Sequence, residues 1–137
     1  MNRPILIISN EPTKILSNDT KIWENSEGQW HRDGDKPAVI TPGGRCEWWI
    51  DGKRHRDDDL PAIIWPEGAY AWYQNNRRHR DHDLPAMISI DDYCSWWQNG
   101  RLIKDKYCTK KEIEEFKKPY HLQRKNIQFD RFESLIK

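Results

Sequence analysis

Long apolar runs are missing from this chain. Mean hydropathy is −1.06 and hydrophobic residues fill 36% of the 137 positions. No stretch approaches the roughly 20 apolar residues that a membrane-spanning helix needs. The opening Met1-Asn2-Arg3-Pro4-Ile5-Leu6-Ile7-Ile8 has an apolar run too short for a signal peptide. Glycine is sparse, and no glycine-rich loop is placed to cradle a phosphate. Ser89 and Ser95 lack a glycine elbow, and no cysteine has a local motif that would activate it. Nucleophilic catalysis therefore finds no support, and the chain reads as a non-enzyme with no cofactor expected. A formal net charge of +1 supplies no global field for nucleic acid. The residues from Lys104 onward carry an excess of Lys and Arg, and those before it a slight excess of Asp and Glu. The run Lys104, Lys106, Lys110, Lys111, Lys117 and Lys118 could meet phosphate, yet Glu112, Glu114 and Glu115 interleave with it as on a solvated helix face.

Cysteine is also scarce, and its count of three is odd. Cys46 and Cys94 fill the same slot two units apart. With two strands per unit at ~4.8 Å each they lie roughly 20 Å apart, too far for a disulfide, which needs Cα atoms within about 7 Å. Reduced cysteines point to an intracellular, cytoplasmic setting.

What the chain has in quantity is tryptophan, eight in all. Large aromatics can bury the area that many aliphatics would otherwise supply, and they argue against disorder. Around them the sequence repeats. His31-Arg32-Asp33-Gly34-Asp35-Lys36-Pro37-Ala38 returns as His55-Arg56-Asp57-Asp58-Asp59-Leu60-Pro61-Ala62 and as His79-Arg80-Asp81-His82-Asp83-Leu84-Pro85-Ala86, at a step of 24 residues. Trp48-Trp49, Trp72-Tyr73 and Trp96-Trp97 keep that step, followed by Asp51-Gly52, Asn75-Asn76 and Asn99-Gly100. A fixed period of this size is the signature of stacked repeats. Asp-Gly and Asn-Gly are strong two-residue turn signals, and Arg45-Cys46-Glu47-Trp48-Trp49-Ile50 reads as one strand. The expected architecture is mainly β: an open array of antiparallel hairpins over residues 1–103, with full units at about 31–54, 55–78 and 79–102. Residues 1–30 read as a degenerate opening unit, in which Pro4-Ile5-Leu6-Ile7-Ile8 echoes Pro61-Ala62-Ile63-Ile64 and a turn-like segment runs on through Asn18-Asp19. Residues 104–137 read as a helical cap. Thr109-Lys110-Lys111-Glu112 has the form of a capping box, Pro119 is expected to end that helix, and Phe129, Phe132 and Ile136 suggest a second.

Trp49-Ile50-Asp51-Gly52-Lys53-Arg54-His55 is similar to the core phrase of the membrane occupation and recognition nexus (MORN) repeat, Trp-x-Asn-Gly-Lys-x-His-Gly-x-Gly. Trp97-Gln98-Asn99-Gly100-Arg101 matches its first half, and Tyr73 to His79 match more loosely. Where that family has glycine after histidine, this chain has Arg32, Arg56 and Arg80. The His-Arg-Asp-x-Asp-x-Pro-Ala form resembles a variant repeat of large DNA viruses and some phages. The resemblance implies a hairpin array serving as scaffold or adaptor, in a host cell or virion if viral, with membrane contact a weaker implication.

Candidate binding residues follow from the stacking. Neighbouring strand residues face opposite sides, so Trp48, Trp72 and Trp96 form one row and Trp49, Tyr73 and Trp97 another. The unvarying first row is assigned to the core, although the MORN alignment places its defining tryptophan on the second. Trp49, Tyr73 and Trp97 are then the candidate anchors, with His55, Arg56, His79 and Arg80 as a polar rim. The expected function is a protein-interaction or scaffold module, with a protein partner or self-association through an open strand edge. The alternative is a small-ligand or glycan binder on the aromatic row. A metal-dependent activity at the His/Asp turns is a further alternative. Against it stands a structural role for those turns, with Asp capping turn N–H groups and Arg pairing with an Asp of the neighbouring rung.

Overall fold

The computed structural model describes residues 10–126. The Pro4–Ile8 echo and the stripe of Phe129, Phe132 and Ile136 lie outside these residues. Thirteen short strands alternate with tight turns and are followed by one helix. They are β1 (Lys14–Ile15), β2 (Lys21–Ile22), β3 (Val39–Ile40), β4 (Cys46–Glu47), β5 (Trp49–Ile50), β6 (Lys53–Arg54), β7 (Ile63–Ile64), β8 (Tyr70–Ala71), β9 (Tyr73–Gln74), β10 (Arg77–Arg78), β11 (Met87–Ile88), β12 (Tyr93–Gln98), β13 (Arg101–Tyr107) and α1 (Lys110–Asn126). Nine of the strands form one antiparallel sheet in the order β1-β2-β3-β4-β7-β8-β11-β12-β13, and β5/β6 and β9/β10 are separate hairpins beside it. Among the described residues the sheet is open, with β1 and β13 at its two edges.

The expected single strand from Arg45 to Ile50 is two strands, because the chain changes partners at Trp48. Glu47 pairs with Ile63 of the following unit, and the Trp48 N–H still donates to Ala62 O at 2.8 Å. One residue on, Trp49 pairs with Arg54 of its own hairpin. Trp72 does the same, donating to Ala86 O at 2.8 Å while Tyr73 pairs with Arg78. In the last unit no following Pro-Ala segment arrives to take that edge. There β12 stays whole and pairs along its length with β13, with one irregularity between Trp96 and Trp97.

The opening unit pairs β2, beside Ile22-Trp23-Glu24 where a tryptophan strand is expected, with a strand β1 that the sequence reads as part of a turn-like segment. Lys14 faces Ile22 and Ile15 faces Lys21, the same register as Val39 with Glu47 and Ile40 with Cys46. Pro12-Thr13-Lys14-Ile15 thus stands where Pro37-Ala38-Val39-Ile40 stands one unit later. Lys and Thr in place of Ala and Val hid the correspondence.

The core lies along the first aromatic row. Trp48, Trp72 and Trp96 are buried, as are Pro37, Pro61, Pro85 and the three alanines that follow them. Proline suits these positions because it opens a strand without needing a ladder N–H. At the C-terminal end Ile113 of α1 joins Trp72, Ile88, Cys94, Trp96 and Cys108 in one cluster. The Phe116 ring meets Trp96 edge-on, with centroids 5.6 Å apart. The helix begins at the capping box: the Thr109 N–H donates to Glu112 Oε1 at 2.8 Å, and the Glu112 N–H donates to Thr109 Oγ1 at 3.1 Å. It does not stop at Pro119 but continues to Asn126. Proline withholds the N–H that would serve the Glu115 carbonyl; at the next carbonyl, Phe116 O, Arg80 Nη2 donates at 2.9 Å.

Candidate functional site

Each His-Arg-Asp turn is built on two consecutive residues in the left-handed region: Gly34 and Asp35, Asp58 and Asp59, His82 and Asp83. Asp tolerates this conformation better than most non-glycine residues, because its short side chain bonds locally. The turn aims two acceptors of the second Asp at once. Its carbonyl receives the indole N–H of the row-one tryptophan: Trp48 to Asp35 at 3.1 Å, Trp72 to Asp59 at 3.1 Å and Trp96 to Asp83 at 3.0 Å. Its carboxylate receives the arginine of the next unit. Arg56 Nε donates to Asp35 Oδ1 at 2.9 Å, and Arg80 Nε to Asp59 Oδ1 at 2.8 Å. The same guanidinium planes lie 3.8 Å over Trp48 and 3.9 Å over Trp72. Their Nη1 groups donate to Pro61 O and Pro85 O. Lys104 replaces arginine in the last rung, 3.3 Å from Asp83 and 4.9 Å over Trp96.

Arg56 and Arg80 were expected on a rim open to a partner, and they are buried instead, at 4% and 2% exposure. An aromatic face, a carboxylate and a carbonyl together occupy the donors that an exposed arginine would offer. Burial pulls the Arg80 guanidinium below its ordinary range, and Asp59 works against that shift.

The histidines are used internally as well. Nδ1 of His31, His55 and His79 accepts the N–H of Asp51, Asn75 and Asn99 at 3.0, 3.2 and 3.0 Å. Nε2 then carries the proton and faces Asp33, Asp57 and Asp81, each at 2.8 Å. With both nitrogens of His55 and His79 committed, neither ring has a lone pair to give a ligand. Among the described residues no group of three His, Cys, Asp or Glu side chains is arranged to hold a metal.

Trp49, Tyr73 and Trp97 form the second row and are each half-buried, Trp97 packing against the core cluster. Two arginines that the sequence reading passed over stand between them. Arg54 lies 4.8 Å over Trp49 and 5.4 Å over Tyr73, and Arg78 lies 5.5 Å over Tyr73 and 5.0 Å over Trp97. Trp30 meets Trp49 edge-on at 4.9 Å. The signal was present in the period: Trp30, Arg54, Arg78 and Leu102 occupy the position before the histidine, or before its counterpart Ile103, in successive units. Leu102 pairs directly with Trp97 on the edge strand β13 and is exposed, as are Ile103 and Tyr107.

Glu47 anchors the first part of this face from beneath. Its Oε1 accepts Trp49 Nε1 at 3.0 Å and Arg54 Nη2 at 3.3 Å, and its Oε2 accepts Arg45 Nε at 2.9 Å. One unit later Ala71 occupies that place. Arg78 keeps a bond to the Tyr73 hydroxyl at 3.0 Å, and its Nε is buried without a partner. Family models, curated proteins and solved structures offer no match to this chain. Among the described residues no helix is long and apolar enough to cross a membrane.

Proposed function

We propose that this chain is a non-catalytic interaction module, a stack of MORN-like units that holds a protein partner along its second aromatic row. The observation that carries this reading is the alternation of Trp49, Arg54, Tyr73, Arg78 and Trp97 on one half-exposed face. Tryptophan, tyrosine and arginine are the side chains that most often dominate protein interfaces. Here each arginine is held between two rings, so part of its rotamer entropy is lost before any partner arrives. Exposed Leu102 at the end of the row adds apolar area beside the open edge of β13.

The alternation favours a protein over a sugar. A glycan platform calls for free ring faces, whereas Arg54 and Arg78 already occupy the faces of Trp49, Tyr73 and Trp97. An extended peptide surface can meet guanidinium edges with carboxylates and carbonyls while its apolar side chains cover the rings.

Affinity capture with wild type beside Trp97→Ala and Arg78→Ala tests the reading. A partner held by wild type and lost by both variants is expected, with both variants still unfolding cooperatively. Retention of the same partner by both variants would overturn it.

A further inference from the structure

The first rung of the array is incomplete. The shared register of β1/β2 and β3/β4 places Asn10 where Asp35 stands one unit later, four residues before Lys14 as Asp35 is four before Val39. Arg32 stacks 3.8 Å over Trp23 and donates through Nη1 to Pro37 O at 3.1 Å, matching Arg56 on Trp48 and Pro61. The aspartate is what is missing. Asn10 directs its Oδ1 to Lys36 Nζ at 3.2 Å. Among the described residues, the Nε–Nη2 edge of Arg32 has no carboxylate. Among the described residues the buried indole Nε1 of Trp23, a residue 8% exposed, meets no acceptor. In each of the next two rungs one aspartate serves both groups.

Trp23, Arg32 and Asn10 line a cleft of about 610 Å³ at this end of the sheet. Lys21 and Lys36 also line it, against Glu11 and Asp19. Burial without a carboxylate pulls the Arg32 guanidinium below its ordinary range.

We propose that this cleft binds the side chain of an aspartyl residue of a peptide, its carboxylate on the free edge of Arg32 beside the Trp23 ring that the guanidinium covers. The site lies apart from the second aromatic row, and the inference stands whether or not that row binds a partner. The ligand class follows from the neighbouring rungs, where the same Nε–Nη2 edge of Arg56 and of Arg80 receives an aspartate carboxylate. A charge-assisted bond to a half-buried guanidinium is stronger than a neutral one, so replacing the ligand's aspartate with asparagine should weaken binding by about tenfold or more.

The test is an NMR titration of the full chain with acetyl-Asp-Lys-Pro-Ala-amide, a copy of the segment that closes the next rung. The Trp23 indole signal, assigned by its loss in Trp23→Phe, should shift and saturate as the carboxylate engages the guanidinium stacked on its ring. The asparagine version of the peptide should bind about tenfold more weakly or worse. Asn10→Asp should supply the missing carboxylate from within, raising the unfolding midpoint and abolishing the response. Arg32→Gln should abolish it as well, and should that variant fail to fold, Asn10→Asp decides alone. An indole signal that moves with protein concentration, without peptide, would support the site and name a second copy of the chain as the source of the aspartate. An unmoved signal at millimolar peptide, equal binding of the asparagine peptide, or full affinity in Asn10→Asp would overturn the proposal.

Discussion

Arg80 reaches back 21 residues to Asp59 and, on the way, covers the ring of Trp72, whose own N–H donates to the Asp59 carbonyl. Three side chains from two units thus close one circuit, in which the arginine satisfies the carboxylate and shields the indole from water. Removing one member leaves a buried donor or charge without its partner, so the losses from removing two are expected to be less than additive.

Asp59→Asn keeps the left-handed backbone and deletes the charge. It should lower the stability to urea by about 2 kcal/mol, the scale of a charged hydrogen bond. Arg80→Met should also destabilise, since it gives up the bonds to Pro85 and Phe116. The double variant should lose less than the sum of the two, by about 1 kcal/mol. Strict additivity would show that the pair does not act as a unit.

Gly52 sits at φ +81° in the turn of the first hairpin, and Asn76 holds the equivalent place at φ +72°. Gly52→Ala should cost about 1–2 kcal/mol, the penalty for a Cβ in left-handed backbone. The Cβ itself has room, meeting Gln29 at an ordinary 3.5 Å. Gly52→Asn should be close to neutral, because the second unit already uses asparagine there. Thermal unfolding of the two variants side by side separates backbone strain from lost packing.

Glu112 is held below its ordinary range, first by the Thr109 N–H and then by Lys106. A carboxylate depressed in the fold contributes stability that is present above its unfolded value, near 4.5, and is lost as pH falls through the folded value. Wild type should therefore exceed Glu112→Gln in stability at neutral pH. The gap should close in acid, below the ordinary glutamate range. A gap that stayed constant with pH would remove the charge from the capping role.

All three cysteines are free, and Cys94 is buried beside Cys108. Burial, with Cys108 as neighbour, pushes the Cys94 thiol far up, so its reactive thiolate is scarce at neutral pH. A thiol reagent should label Cys46, the half-buried one, well before Cys94 and Cys108, which should follow the rate of unfolding. Mass spectrometry of the labelled chain reads the order directly.

Much of the layout was visible in the residues themselves. The period located the turns, the two-residue turn signals placed the hairpins, and Thr109 with Glu112 marked the helix start. The unvarying tryptophan row is the buried one. What the residues concealed was the use of charge. Arginine is usually an exposed residue, and nothing local to Arg56 or Arg80 reveals a ring and a carboxylate waiting from the preceding unit. The break at Trp48 was equally invisible, because it depends on which neighbour competes for the strand edge. Proline ordinarily ends a helix because it withholds one N–H and crowds the preceding turn, yet α1 runs past Pro119 to Asn126, a continuation that no local residue signals.

The circuit of tryptophan, aspartate and arginine also bears on how such a chain can change length. Every Trp–Asp pair is completed only by the basic residue that opens the following unit, so the favourable contacts reside in junctions. Copying an internal block of 24 residues adds one whole junction and disturbs none. Inserting or deleting a few residues moves an arginine off its ring and an aspartate off its indole together. Lengthening by duplication should thus be tolerated where small insertions are not, and natural variation in such arrays should come in whole units.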